Sequence, residues 1–274
     1  MTGIYLAAAV TTVTAGGLIG GMLIGRCPKE ERLRLATAVL LILPMSWLAF
    51  HLVRTPYDNW LSTRIADKMT LGFVKTFDAP LTEEPAKMWP LLLPFAWWRR
   101  SDDRRWNVRL AIALGLGFGI GEAWMLAQLI ADKDPKIAAL PWYQLTGFIN
   151  ERTLVCIAHA AFTACVTRFG IARGLPLAML LHWIGNFPIF LAHYFQLAPS
   201  ESSTILSIWV TLYILSCGAL LAKFYVEHWQ LGEALFGRIT CPDCQQEYAR
   251  PLFGLNLGTK RYEPCPHCKK WHLL

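Results

Sequence analysis

The 274-residue sequence predicts an all-α, polytopic membrane fold of about seven transmembrane helices, followed by a small cysteine-rich C-terminal domain. Three observations carry that expectation. Hydrophobic residues make up 54% of the chain against 16% charged, and mean hydropathy is +0.35, which displaces the composition from soluble domains toward integral membrane proteins. Several apolar runs reach the roughly 20 residues needed to cross a hydrocarbon core. Basic residues collect in short loops between those runs, so the net charge of +7 reads as membrane orientation rather than nucleic-acid binding.

The expected spans lie near 4–25, 35–53, 79–98, 108–131, 152–168, 175–196 and 204–223. The first is too long and glycine-rich for a signal-peptide core and has no basic segment before it, so it counts as a true span. Its Gly16, Gly17, Gly20 and Gly21 are expected to let a neighbouring helix approach. In the third span Pro80, Pro85, Pro90 and Pro94 each remove a backbone donor. Thr82 is expected to cap a helix beginning at Glu83, which would place Pro85 in the tolerated first turn. Gly115, Gly117, Gly119 and Gly121 of the fourth span form two small-residue faces for close packing; no strand surrounds them to support a nucleotide loop. The fifth span is short and needs shelter from its neighbours.

Arg26, Lys29, Arg32 and Arg34, then Arg99, Arg100, Arg104 and Arg105, then Arg168 and Arg173 mark cytoplasmic loops and give an N-out, C-in chain. Residues 54–78 hold Arg54, Arg64, Lys68 and Lys75 on the opposite side. Their apolar residues Leu61, Ile65, Met69 and Phe73 recur every fourth position, as in a helix lying in the interface. The domains are therefore a transmembrane unit at 1–225, a linker helix at 226–240 and a C-terminal module at 241–274.

Six polar side chains interrupt the apolar runs: Glu83 and Glu84 in LTEEPAK, Glu122 in FGIGEAW, His159 in AHAAF, and His182 with Asn186 in LHWIGNF. Ionisable groups at membrane depth are costly and usually face a protein interior or a wet cavity where they act. His182 and Asn186 are four apart, hence on one helix face. The topology puts all six at one level between the midplane and the outer face. A carboxylate beside a His can activate water and later protonate a leaving amine, and His and Asn can donate to a developing oxyanion. These are the parts for hydrolysing a peptide bond without a covalent nucleophile. Cys156, close before His159, reads as core packing.

The motifs resemble those of the PrsW-type intramembrane proteases, within the wider glutamic CAAX-prenyl-protease superfamily. EEPAK at 83–87 is similar to the EExxK motif. GFGIGEA at 117–123, HAAFTA at 159–164 and HWIGN at 182–186 resemble the second, third and fourth motifs in order. The resemblance covers about 70–195 and implies a membrane-embedded endopeptidase. In it Glu83 or Glu84 with His159 activates water, His182 and Asn186 stabilise the oxyanion, Glu122 is an essential polar partner and Lys87 orients the carboxylates. It further implies a membrane-anchored, anti-sigma-factor-like substrate cut from the outer side. Glu, Glu, His and His could also bind zinc. No HExxH is present, and metal-independent chemistry is favoured, with a catalytic metal as the alternative.

The tail carries Cys241-Pro-Asp-Cys244, 20 residues, then Cys265-Pro-His-Cys268. Two such knuckles fit a four-thiolate structural zinc ribbon, whose metal would supply the folding energy that so short a segment lacks. A cytosolic location argues against two disulfides. Lys260, Arg261, Lys269 and Lys270 form a basic rim better suited to anionic lipid than to nucleic acid. Cys27 and Cys217 read as packing residues. The expected localisation is the bacterial inner membrane. Two competing readings are a non-catalytic scaffold or substrate-binding relative, and a proton or ion transporter; the lack of an inverted repeat counts against the second.

Overall fold

The computed structural model describes residues 2–20, 27, 29–92, 104–194, 199–226, 236–251, 254–257 and 260–274. The chain separates into two compact units, Met1–Leu221 and Ala222–Leu274.

The first unit is helical. Helix α1 (Gly3–Gly20) ends in a π-helical turn, and α2 (Lys29–Arg64) passes through a turn at Leu43 and Pro44 and a π-helical stretch at Ala49–Arg54. There follow α3 (Lys68–Lys75), α4 (Asp78–Leu92), α5 (Arg104–Lys133), α6 (Pro135–Ala139), α7 (Thr146–Phe169), α8 (Ile171–Tyr194) and α9 (Pro199–Val226). Among the described residues, five helices are long and apolar enough to cross a membrane: α1, α2, α5, α8 and α9. The expected seven spans are therefore matched at five. Helices α4 and α7 occupy the other two positions, but Asp78, Glu83, Glu84 and Lys87 in one and Glu151, Arg152, His159 and Arg168 in the other make them polar. Residues 93–98 of the third expected span lie outside the described residues.

Helix α5 is the centre of the unit. Of its most apolar window 83% is buried, against 28% or less for the other four candidate spans. A helix apolar on every side belongs inside a bundle. Its glycines make the tight packing possible: a Cβ at Gly115 or Gly119 would strike Ala160 or Cys156 of α7, and one at Gly117 or Gly121 would strike Val39 or Leu43 of α2. The two small-residue faces expected from the sequence are both used. The first span uses its glycines only in part: Gly16 and Gly17 have open space around them, whereas a Cβ at Gly20 would meet the Leu116 side chain of α5 at 3.2 Å, and Gly21 lies outside the described residues.

Two further local expectations need correction. Residues 54–78 do not form one interfacial helix: the chain becomes extended at Ile65, and Asp67 restarts it as α3 by accepting the Thr70 N–H at 2.7 Å. Nor does Thr82 cap a helix. Helix α4 begins at Asp78, and the Thr82 hydroxyl donates back to the Asp78 carbonyl at 2.6 Å within it. Pro80 thus takes the tolerated first turn, and Pro85 and Pro90 lie in the helix interior.

The second unit holds a two-stranded sheet of β1 (Arg238–Thr240) and β2 (Glu247–Ala249), and a three-stranded antiparallel sheet of β3 (Leu255–Leu257), β4 (Lys260–Pro264) and β5 (Trp271–Leu273) in that order. The expected linker helix over 226–240 falls mostly on residues outside those described, and its last three residues are strand β1 instead.

Candidate functional site

The polar side chains of α4, α5, α7 and α8 meet inside the first unit. Glu122 Oε2 lies 3.0 Å from His159 Nε2, and His159 Nδ1 lies 2.7 Å from Lys87 Nζ. Lys87 Nζ is 2.6 Å from Glu84 Oε1, which is itself 2.6 Å from His182 Nδ1. His182 Nε2 then faces Glu83 Oε2 at 3.9 Å. An arginine closes each end: Arg152 of α7 lies 3.3 Å from Glu122, and Arg54 of α2 lies 3.6 Å from Glu83.

Local sequence explains the placement. Glu84 and Lys87 are one turn apart on α4 and both wholly buried. Adjacent residues on a helix point about 100° apart, so Glu83 and Glu84 diverge instead of sharing one environment. Phe118 and Phe162 place their rings 4.7 and 5.4 Å from the Lys87 ammonium, and Phe162 stacks on His182 at 5.3 Å. Glu83, Glu84 and Glu122 face Arg54, Lys87 and Arg152, with Glu151 also 2.5 Å from Arg152, so each buried carboxylate has a basic neighbour, as a low-dielectric interior requires.

The contacts also fix the imidazoles. An ammonium has no lone pair, so His159 Nδ1 accepts from Lys87 and its Nε2–H donates to Glu122. A carboxylate only accepts, so His182 Nδ1–H donates to Glu84, and its Nε2 lies 3.9 Å from Glu83.

Glu83, Glu122, His159, His182 and Asn186 all line one cavity of about 140 Å³, with Arg54, Arg152 and Tyr213 beside them. Five of the six residues singled out from sequence therefore share a chamber, while Glu84 stands behind it, holding Lys87 and His182. Sequence reasoning missed Arg152, which lies seven residues before His159 and thus on the same face of α7. It read Arg54 only as a loop charge. Cys156 is buried against Gly119, in keeping with a packing role.

A divalent ion fits part of this chamber. Donor atoms of Glu83, Glu122 and His159 lie within 4.8 Å of one another, and Glu83 Oε2 is buried without a hydrogen-bond partner. Carboxylate and imidazole are both ligand types that zinc accepts, and three of them would leave a fourth position open for water.

In the second unit the two knuckles are built alike. Gln245 N–H donates to Cys241 O and Lys269 N–H to Cys265 O, while Cys241 N–H and Cys265 N–H donate to Gln246 O and Lys270 O. Gln245 and Lys269, each just after a CxxC, take φ of 57° and 64°, the left-handed turn that closes each knuckle. The thiols converge, with Cys241 Sγ 3.7 Å from Cys268 Sγ and Cys244 Sγ 3.8 Å from Cys265 Sγ. A tetrahedron with metal–sulfur bonds of about 2.3 Å has edges of about 3.8 Å, so the spacing suits one ion. Burial opposes ionisation of Cys265, but the N–H groups of Cys268 and His267 and the neighbouring thiols bring it down to about 7.

The sequence model of a family described as PrsW family intramembrane metalloprotease matches residues 30–216, more than half of the chain. Every residue lining the cavity falls inside that match, and the four tail cysteines fall outside it. No curated protein and no solved structure matches.

Proposed function

The chain belongs to the PrsW family of intramembrane metalloproteases, and from that premise we propose that the chamber lined by Glu83, Glu122, His159, His182 and Asn186 is where it cuts peptide bonds. It is an integral membrane peptide hydrolase. The observation that carries the site assignment is that Glu83 of α4, whose Oε2 has no hydrogen-bond partner, lines one small cavity together with Glu122 of α5, His159 of α7, and His182 and Asn186 of α8.

Glu83 is the carboxylate of the pair that faces this cavity, so it takes a proton from water and passes it to the leaving amine. Glu84 acts behind it, orienting His182 and neutralising Lys87. His182 Nε2 is an acceptor while its ring is neutral. The oxyanion role expected for His182 opens to it only as imidazolium, and the Asn186 amide is the neutral donor. Glu122 pairs with the His159 Nε2–H and with Arg152, which gives it the part of aligning His159 across the chamber.

The family's description as metalloproteases runs against the metal-independent chemistry favoured from sequence. Glu83, Glu122 and His159 would hold the ion, and an ion there would acidify a bound water and polarise the scissile carbonyl; the tautomer that frees His159 Nε2 for it would set an Nδ1–H against the Lys87 ammonium. Arg54 and Arg152 compete with such an ion for the same carboxylates.

The substrate class we propose is a single-span membrane-anchored protein of the anti-sigma-factor kind, cut from the outer side. The distribution of basic loops supports an N-out, C-in chain in a bacterial inner membrane, with the tail cytosolic and binding structural zinc through Cys241, Cys244, Cys265 and Cys268. The test is cleavage of a co-expressed single-span substrate. Glu83→Gln and His159→Ala are expected to lose about 10²- to 10⁴-fold in rate, the range for a positioned acid–base group; unchanged cleavage by both variants would sink the assignment.

A further inference from the structure

The three-stranded sheet of the tail is amphipathic in the reverse of the usual sense. Along β4 exposure alternates, with Lys260 and Tyr262 out and Arg261 and Glu263 buried; along β5 Trp271 and Leu273 are out and His272 is half-buried between them. The register places Leu255 opposite Tyr262, Tyr262 opposite Leu273, and Leu257 opposite Lys260. Leu255, Leu257, Tyr262, Trp271 and Leu273 therefore share one face and are between 38% and 63% exposed. Arg261 and Glu263 lie on the inner face instead, where Glu263 is held by Arg250 at 3.2 Å, Arg261 at 3.0 Å and the Tyr248 hydroxyl at 3.2 Å. A half-buried antiparallel sheet ordinarily turns its apolar side inward. A contiguous apolar face presented outward marks an interaction surface.

We propose that this face lies on the anionic surface of the bilayer and holds the tail there. Three observations select lipid as the occupant. Tyr262 and Trp271 pair at 5.1 Å on the face, and these are the side chains that favour the membrane–water boundary. Lys260 shares the face and Lys269 flanks it, charges that complement acidic headgroups, while Lys270 is paired with Asp243 at 2.7 Å. Finally, eleven residues (227–237) join β1 to the membrane-crossing helix α9, a chain that reaches at most about 40 Å. The bilayer is thus always within range, and tethering replaces a bimolecular encounter by a local one. The inference stands apart from the protease chemistry and from the identity of the tail's metal.

The test is hydroxyl-radical footprinting of the full chain, read by mass spectrometry at Trp271 and Tyr262. In nanodiscs containing phosphatidylglycerol, oxidation of both side chains is expected to fall at least about fivefold below that in phosphatidylcholine discs, the factor one lysine confers near an anionic surface. Leu257→Glu with Leu273→Glu should restore oxidation, with unchanged reactivity of the four tail thiols as the check on folding. Should that double variant misfold, Lys260→Glu and high salt on the unaltered chain provide the same readout. Equal oxidation in the two lipids overturns the proposal. So does equal protection in lipid-free amphipol, which would make the occupant protein.

Discussion

Both units of this protein gather metal-competent side chains, yet the two clusters are held in opposite ways. In the membrane unit each donor residue already has a basic protein neighbour, Arg54 on Glu83, Arg152 on Glu122 and Lys87 on His159, although Glu83 Oε2 itself has no hydrogen bond. In the tail the four thiols face chiefly one another across 3.7 and 3.8 Å. The first arrangement is a wired network of charges, whereas the second has the spacing of a metal site. A site for chemistry must keep its groups poised when nothing is bound; a structural clasp can rely on the metal for its fold.

That contrast can be broken most forcefully by chelation. Removing the metal should unfold the tail, because binding in such small modules supplies on the order of 10 kcal/mol of folding energy, and should leave the helices intact; proteolysis mapped by mass spectrometry reads both. Acid should act the same way, since thiolates are the binding form and protons compete with the ion as pH falls. Next in size is Lys87→Met. It leaves Glu84 buried without its cation, at a cost of about 3–5 kcal/mol, and differential scanning fluorimetry should show a large fall in Tm that Cys241→Ser does not produce in the membrane unit. A smaller effect is expected at the packing faces of α5. Gly117→Ala drives a Cβ into the Val39 backbone and should cost about 1–3 kcal/mol. Gly16→Ala meets open space and should change stability by about 0.5 kcal/mol or less.

The same contrast explains what could be read from sequence. The tail site is local: two CxxC turns name all four ligands, and spacing alone is enough. The membrane site is assembled from residues as far apart as Arg54 and Asn186, so sequence could nominate its members through their cost in an apolar setting but not say who touches whom. It could not separate Glu83 from Glu84, because only the 100° turn between neighbours on α4 decides which faces the cavity. It missed Arg152, whose role depends on α7 packing against α5. It counted α4 and α7 as spans from the length of their apolar runs; α4 as described is 15 residues long, with 93–98 outside the described residues, and α7 carries Glu151, Arg152 and Arg168. The interfacial helix failed at Ile65, where tertiary context extends a backbone that four-residue periodicity would have kept helical.

The account rests most heavily on Glu83 being the carboxylate that works on water while Glu84 holds the framework. Single-turnover cleavage of a membrane-spanning peptide by purified protein in proteoliposomes separates them. Glu83→Gln should keep the fold and its Tm within a few degrees yet lose at least about 10²-fold in rate, while Glu84→Gln should lower Tm as well as rate. Full activity in Glu83→Gln, or a loss of stability there equal to that of Glu84→Gln, would contradict it.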